Sequence, residues 1–417
     1  MTWIHHLSPT LDKAADALGS KAFGLVALLR LGLPVPPAFV ITTAACRDFL
    51  HTGRFPDGLG SELTAAIGEL DARQVSVRSG SEVSMPGMMN TILNVDRQDI
   101  EQSVAAVFES WNTPRAKTYR ALNDIPEDLG TAVTVQKMVY GNHDEHSGTG
   151  VAFSRNPNTG ETVPYGDVLF GRQGDAVVSG TSSPSPLAAL TREPRVHTAL
   201  HDALERIEGH YRDACYVEFT FEAGELWLLQ VRPGRFVGRA AIRVAVDLAD
   251  AGTISRAEAV HRISRHDIET AQTEHMTATD ILARGLGACP GVTTGAVVTT
   301  SDKAAKAQDP VILVRPETSP LDMHGLAAAA GVVTARGGPT SHAAVVARAM
   351  RKPGVVGVPG LTVGDTSITV NGQAISEGTV ITIDGTSGEI ALGQAEVTTA
   401  ENDPHVARLL EWTRRQP

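Results

Sequence analysis

The stretch TARGGPTSHAAVVARAM, residues 334 to 350, places two glycines, a proline and two hydroxyl residues directly before His342 and an alanine-rich run. Glycine tolerates the positive φ of a tight turn, and a serine or threonine oxygen can cap the first turn of a helix. The pattern therefore predicts a helix from Ala343 to Met350 with Thr340 or Ser341 as its cap. His342 is expected in the first turn of that helix.

The first turn of a helix is also a favourable place for an anion. Free backbone N–H groups and a partial positive charge there would stabilise a phosphoryl group carried on the imidazole of His342. Glycine pairs before helices are common, however, so this stretch alone favours a histidine that only packs or caps. Both interpretations stay open at this point.

The length of the chain indicates two or three domains, and its mixed helix and strand patterns, described below, indicate an α/β protein. The chain has 417 residues, a length that exceeds what one hydrophobic core usually supports, and 42% of them are hydrophobic, which is ample for globular cores. A net charge of -11 without a Lys/Arg-rich block argues against nucleic acid or an anionic membrane as the main partner. The 3 cysteines are far apart, and the chain has neither a signal-peptide pattern nor an apolar span, so we expect a cytoplasmic protein.

Helical and strand patterns alternate along the first half of the chain. Residues 12 to 31 and 102 to 122 predict helices, and AFVIT, TAVTVQKMVY and TGVAFSR predict strands. Residues 239 to 280 are rich in charged residues and alanine and predict linking helices. Beyond residue 285, short β segments surround the His342 helix, which indicates a compact, β-rich α/β module.

The stretch CYVEFTFEAGELWLLQVRP, residues 215 to 233, predicts a β-hairpin. If its loop contains three residues, 222 to 224, strand alternation places Glu218, Gln230 and Arg232 on one face. A two-residue turn would send Glu218 and Gln230 to opposite faces. The glycine at the third loop position favours the three-residue loop.

Six motifs follow one another along the chain: SVRSGSEVSMPGMMNTILN, VQKMVYGN, SGTGVAFSRNPNTGE, HYRDACYVEFT, LWLLQVRPG and GGPTSHAAVVARAM. In sequence and in order they resemble the motifs of the pyruvate, phosphate dikinase family of PEP-utilising enzymes, and the resemblance extends over residues 20 to 393. The resemblance implies an ATP-grasp nucleotide-binding domain at 1–238, trimmed of a helical subdomain after Leu93. It further implies a helical linker at 239–283, a swivelling β/β/α phosphohistidine domain at 284–396 and a tail at 397–417.

The resemblance also implies roles for individual side chains. His342 would accept the phosphoryl group, with Arg232, Thr340 and Ser341 as catalytic partners. The implied nucleotide-binding residues are Lys21, Arg78, Gln136, Met138, Val139, Asp167, Glu218 and Gln230, and the implied Mg²⁺ ligands are Glu218 and Gln230. Structural alternatives stay open, namely a solvated lysine at position 21, capping by the two hydroxyls, a core methionine at position 138 and a polar outer face of the hairpin.

The implied activity is that of an ATP-dependent, dikinase-type phosphotransferase with a phosphohistidine at His342. AMP would be released from ATP, one phosphoryl group would stay on His342, and the other would pass to inorganic phosphate or water. The chain stops near Trp412, where the resemblance would continue into a pyruvate- and PEP-binding barrel. The acceptor is therefore expected to be pyruvate on a separate chain or another small molecule. The competing interpretation is a catalytically silent nucleotide-binding or phosphocarrier regulatory protein.

Overall fold

The computed structural model describes residues 2–83, 85, 87–173, 184–234, 236–272, 275–277, 280–398 and 403–414. It is a mixed α/β protein, as the sequence predicts, and it divides into two compact units. The first unit contains residues 1–148 and 217–232, and the second contains 149–216 and 233–417. The finer domain boundaries inferred from the sequence stay a prediction. No described helix is both long and apolar enough to cross a membrane.

The first unit is built on an antiparallel sheet. Its elements up to residue 137 are β1 (Ile4–His6), α1 (Ala15–Arg30), β2 (Ala38–Ile41), α2 (Thr43–Thr52), α3 (Leu59–Glu69), β3 (Gln74–Gly80), β4 (Thr91–Asp96), α4 (Ile100–Glu109), α5 (Pro114–Leu122) and β5 (Ala132–Lys137). The strand order is β1-β2-β5-β3-β4. Buried apolar side chains of the sheet and of α2, α3 and α4, among them Phe39, Leu63 and Phe108, form its core.

Two local features of this unit depend on single residues. The helix predicted over 102 to 122 is wrong as one piece, because α4 ends at Glu109 and α5 begins at Pro114. Proline suits the first position of a helix and is excluded from the interior because it lacks an N–H. Within α1, Gly19 has φ +72, and a side chain there would collide with the carbonyl oxygen of Gly80. This close approach sets the regular part of α1, which carries Lys21, beside β3.

The next part of the chain contains the predicted hairpin. Its elements are β6 (Gly148–Phe153), β7 (Tyr165–Phe170), β8 (Ser185–Pro186), α6 (Pro194–Tyr211), β9 (Cys215–Glu222) and β10 (Glu225–Pro233). The prediction of a three-residue loop is wrong, because only Ala223 and Gly224 separate β9 from β10, with φ +50 and +79. Two-residue hairpin turns of this kind require positive φ at both positions. In β10 the buried residues are Leu226, Leu228 and then Val231, so the simple alternation is interrupted before Arg232.

The second unit continues through helices into a β-rich module. The helices are α7 (Gly238–Asp250), α8 (Arg256–Arg262) and α9 (Arg265–Gln272), as the sequence predicts for this segment. The module then contains β11 (His275–Thr277), β12 (Ile281–Arg284), β13 (Leu286–Cys289), β14 (Val292–Val298), α10 (Ser301–Lys306), β15 (Val311–Arg315), α11 (Met323–Ala328), β16 (Gly331–Thr334), α12 (His342–Ala349), β17 (Gly354–Val356), β18 (Leu361–Val363), β19 (Ser367–Val370), β20 (Gln373–Ser376), β21 (Val380–Asp384), β22 (Glu389–Leu392) and β23 (Glu396–Thr398). A final helix, α13 (Pro404–Arg414), buries Val406, Leu409 and Trp412 among residues of α7, α8 and α9.

The main sheet of this module has the order β12-β22-β21-β14-β15-β16-β17-β13. Strands β14, β15, β16 and β17 run parallel to one another, and α11 and α12 provide crossovers between them. The carboxyl ends of parallel strands lie at one edge of the sheet. The loop after β15 and the loop after β16 therefore meet at that edge, and the second of these loops leads directly to His342.

Candidate functional site

His342 is the first residue of α12, as the sequence predicts. Ser341 is the cap, and its hydroxyl accepts a hydrogen bond from the N–H of Ala344 at 3.5 Å. Gly337 has φ +110, so the turn before the helix uses the conformation that glycine permits. The imidazole consequently lies in the first turn of a helix, where backbone N–H groups have no acceptor within the helix itself.

The imidazole of His342 has two different nitrogens. Its Nδ1 lies 3.0 Å from the hydroxyl oxygen of Thr318, whereas Nε2 is buried without a hydrogen-bond partner among the described residues. Burial lowers the pKa of His342 to about 4, against a smaller raising effect of Asp322. The ring is therefore neutral near pH 7, and Nε2 is the nitrogen left available for reaction.

Thr318 was missed by the sequence analysis. It follows β15 in the segment PETSP, residues 316 to 320, and reaches His342 because β15 and β16 are adjacent parallel strands. The strand prediction covered this segment, but the contact depends on the order of strands in the sheet. A hydroxyl residue directly after a predicted parallel strand is the signal that could have identified it.

The other hydroxyl before the helix has a different partner. The Thr340 hydroxyl donates to Oδ2 of Asp167 at 2.5 Å, and Asp167 is a buried residue of β7. Burial raises the pKa of Asp167, although hydrogen bonds from the hydroxyl and the backbone N–H of Thr340 act in the opposite direction. A Cβ at Gly338 would lie only 2.7 Å from the same oxygen, so the close approach depends on glycine. In this structure the carboxylate of Asp167 thus faces the loop that precedes His342.

A buried arginine supports the same loop from within α12. Arg348 donates to the carbonyl oxygens of Ala288 at 2.8 Å and of Pro339 at 2.5 Å, and its guanidinium lies 5.4 Å from the ring centre of Phe153. Burial lowers the pKa of Arg348 to about 10, so the group still carries its charge near pH 7. The carbonyl contact fixes the backbone just before the catalytic candidate.

A second group of predicted residues meets inside the first unit. Arg78 of β3 donates to a carboxylate oxygen of Glu218 at 2.7 Å and to the carbonyl oxygen of Leu229 at 2.7 Å. The guanidinium of Arg232 lies 3.5 Å from the other oxygen of Glu218. The structure thus brings Arg78, Glu218 and Arg232 together, as expected for residues of one site.

Lys21 of α1 is a third basic side chain whose titration is coupled to this group. Burial, together with the charges of Arg78 and Arg232, lowers the pKa of Lys21 well below its ordinary value, while Glu218 acts in the opposite direction. For Glu218, burial alone would raise the pKa, but the three cations and the hydrogen bond from Arg78 outweigh it and lower the pKa. Two arginines around one carboxylate already leave an excess of positive charge, which suits an anionic ligand.

The residues expected to receive a base are largely packed. The Gln136 side chain is buried and donates to the carbonyl oxygen of Pro36 at 3.2 Å, and the N–H of Met138 donates to Gln74 at 3.1 Å. Met138 is buried, as the core alternative for this residue predicts, whereas Val139 and Gln230 are half-buried. In the SMPGMM loop, Ser84 and Pro86 lie outside the described residues, and Met85 and Met88 are buried.

Family models match two segments of the chain. Residues 51–198 match the model for the pyruvate phosphate dikinase AMP/ATP-binding domain, and residues 307–388 match the model for the mobile domain of PEP-utilising enzymes. The second segment contains His342 and Thr318. The first contains Arg78 and Asp167.

Curated relatives match almost the whole chain. Pyruvate, phosphate dikinases of Rhizobium meliloti, Clostridium symbiosum and Zea mays are 35%, 33% and 33% identical and cover 95%, 98% and 95% of this chain. The chain spans only 58%, 60% and 58% of these relatives. The first alignment extends over 522 positions, more than the 417 residues present here, so that relative contains residues that this chain lacks.

Solved structures add no independent argument. A D-alanine–D-alanine ligase from Bacillus anthracis complexed with ATP covers 60% of this chain and 67% of its own at 13% identity, with a TM-score of only 0.28. The two family segments and the curated relatives carry the assignment instead. On that basis, the chain belongs to the family of pyruvate, phosphate dikinase-like proteins.

Proposed function

We propose that this chain is an ATP-dependent phosphotransferase of the dikinase type that carries a phosphoryl group on His342. The observation that carries the proposal is a neutral imidazole at a helix N-terminus, with Nδ1 in contact with Thr318 and Nε2 without a hydrogen-bond partner in the described part of the chain. In the reaction, Nε2 attacks the β-phosphorus of ATP, the bond to the α-phosphoryl group breaks, and AMP leaves. The γ-phosphoryl group passes to inorganic phosphate or water, and the β-phosphoryl group stays on His342.

The residues around His342 prepare it for this role. When Nδ1 donates its proton to the Thr318 hydroxyl, the reactive lone pair lies on Nε2. A pKa of about 4 keeps this lone pair free of a proton at neutral pH. Ser341 fixes the start of α12, whose free amides stabilise the phosphoryl group once it is attached. Thr340 contributes a hydroxyl to the same loop.

Binding of the nucleotide is assigned to the charge cluster of the first unit. Lys21, Arg78 and Arg232 supply positive charge for the phosphates, and arginine can hold two phosphate oxygens at once. A bound polyanion would also raise the pKa of Lys21 back towards its ordinary value. Of these side chains, Arg232 is the one we assign to stabilising the transferring group.

A magnesium ion fits the same cluster. Magnesium binds few protein oxygens and keeps phosphates and water as its other ligands. The pKa of Glu218 is lowered, so the group is a carboxylate at neutral pH, and the contact of one of its oxygens with Arg232, at 3.5 Å, is longer than the 2.7 Å bond of the other oxygen to Arg78. The interruption of the alternation in β10 reconciles Gln230 with this site, because Gln230 lies two residues from Arg232 and so shares the face on which Arg232 approaches Glu218. Glu218 and Gln230 would hold the ion, which would neutralise phosphate charge when bound.

The adenine site and the phosphoryl acceptor are assigned with the help of the family relationship. Residues Gln136, Met138 and Val139 lie at the end of β5, and we assign the adenine to this segment, with its side chains providing packing more than polar recognition. For Asp167 the contact with Thr340 supports a role at the phosphohistidine loop better than one at the ribose. We assign the final phosphoryl transfer to a small-molecule acceptor, with pyruvate as the candidate that the family suggests.

The proposal can be tested by labelling with radioactive ATP. The full chain is incubated with Mg²⁺ and ATP that carries ³²P in either the β or the γ position, with and without inorganic phosphate. With phosphate present, we expect an acid-labile, alkali-stable label from β-labelled ATP and none from γ-labelled ATP. Neither form of ATP should label the His342→Ala protein. A nucleotide-binding regulatory protein without turnover would bind ATP and acquire no label, which would refute the proposal.

A further inference from the structure

Asp167 is in an unusual environment for an acidic side chain. It is buried in β7, and its carboxylate is held by the hydroxyl and the backbone N–H of Thr340. Both donors are neutral groups, so they satisfy hydrogen bonds without cancelling the charge. Burial already disfavours this charge and raises the pKa of Asp167. The contact is therefore sensitive to any further negative charge nearby.

Such a charge would arise two residues along the chain. Thr340 and His342 are separated by one residue, so their Cα atoms lie within about 7 Å of each other. The imidazole is neutral in this structure because burial lowers its pKa to about 4. A phosphoryl group attached to this ring would give the side chain a charge close to -2. Charges in buried surroundings are screened far less than charges in water.

The carboxylate of Asp167 and a phosphoryl group on His342 would compete for the same hydrogen-bond donors. The Thr340 hydroxyl has one proton, and in this structure that proton is directed to Asp167. A phosphoryl group on His342 would draw on the donors of the same loop and helix N-terminus. It therefore competes with Asp167 for hydrogen bonds and repels it at the same time.

We propose that Asp167 senses the charge on His342, holding the Thr340 loop while the imidazole is uncharged and releasing it once a phosphoryl group is attached. The inference rests on the proposed function, because it requires that His342 carries phosphate. Asp167 acts through Thr340 and is a positioning residue. Its effect is to couple the chemistry of His342 to the docking of the loop against β7, so that the charged carrier leaves.

The experiment imitates the charge without using ATP. His342→Glu and His342→Gln are made in the full chain, since the two side chains have nearly the same shape and differ in charge. Spin labels are attached at Thr198→Cys and Thr366→Cys, two exposed positions of the second unit, while the native cysteines are buried. Pulsed electron–electron double resonance then measures the distribution of distances between the two labels. We expect the docked population to fall at least fivefold in the His342→Glu protein relative to His342→Gln.

The Asp167→Asn variant tests whether the carboxylate is responsible. Asparagine keeps an oxygen for the Thr340 hydroxyl but has no charge, so the difference between the two His342 variants should disappear. Glu317→Gln is the matched control, because Glu317 is only half-buried, pairs with Arg336 at 3.4 Å and lies in the loop that carries Thr318. In that background the difference should persist. Equal docked populations for His342→Glu and His342→Gln, or an undiminished difference with Asp167→Asn, would overturn the inference.

A second measurement covers the case in which burial protonates the new glutamate. The protein is treated with phosphoramidate, which phosphorylates histidine chemically, and the His342→Ala protein serves as the blank for other histidines. The docked population should fall on treatment in the native background and stay constant with Asp167→Asn. Because neither arm uses nucleotide, release without ATP labelling would refute the proposed function alone. Labelling by ATP without release would refute the sensor alone.

Discussion

The two candidate sites differ in how they treat charge. In the first unit, Arg78, Arg232 and Lys21 surround the carboxylate of Glu218, and the pKa of that carboxylate is lowered. In the second unit, His342 is kept neutral by burial and faces the hydroxyl of Thr318. Holding a polyanion requires fixed positive charge, whereas a nucleophile requires an unprotonated lone pair. The division of the chain into two units keeps these demands on separate scaffolds.

The largest effect is expected from removing the nucleophile. The His342→Ala protein should acquire no acid-labile label from ATP, because no other group in the proposal can form the intermediate. Its nucleotide affinity should change less than twofold, since the charge cluster of the first unit contains none of its atoms. Labelling and equilibrium binding of ATP measure the two quantities. A parallel loss of affinity would show that the two sites are not separable in the way the comparison requires.

A sharper test of the charged site compares Arg78 with Arg232. Arg78→Met leaves the half-buried carboxylate of Glu218 without its 2.7 Å partner and should lower the free energy of unfolding by about 4 kcal/mol. Arg232→Met removes the longer, 3.5 Å contact with the same carboxylate and leaves the 2.7 Å bond to Arg78 in place, so the cost to Glu218 should be smaller, about 1 kcal/mol. Urea titration monitored by circular dichroism gives both values. Equal losses would contradict the view that Arg78 is the main partner of Glu218.

Burial of the neutral His342 should make the free energy of unfolding depend on pH. The pKa of His342 is about 4 in the folded protein and near 6.5 when the chain is unfolded, so the unfolded state binds the proton more readily. The contribution of His342 to the free energy of unfolding is therefore fully present above about pH 6.5, and up to about 3 kcal/mol of it is lost as the pH falls towards 4. Comparing the unfolding free energy of the native protein with that of His342→Gln isolates this contribution. A constant difference between pH 7 and 4.5 would mean that the imidazole is not desolvated.

What the sequence could predict follows from how local each feature is. Ser341 and His342 were placed correctly because capping and helix initiation depend on neighbouring residues. Thr318 was missed because its contact requires knowing that β15 and β16 are adjacent and parallel. The hairpin loop was wrong because alanine seldom has the positive φ of +50 that Ala223 adopts. The contact of Asp167 with Thr340 joins residues 173 positions apart, beyond any local pattern.

The smallest effect we expect concerns the hydroxyl that orients the imidazole. Thr318→Val preserves the shape of the side chain and removes the 3.0 Å contact with Nδ1, so the unfolding free energy should fall by only about 1 kcal/mol. Labelling of His342 should slow about 10-fold, because the two imidazole tautomers then compete and only one presents its lone pair at Nε2. Thr318→Ser retains the hydroxyl and should restore most of the rate. If valine slowed labelling no more than serine, the hydroxyl would be a packing feature of the loop, and the contrast between a charged site and an oriented, neutral one would lose its second half.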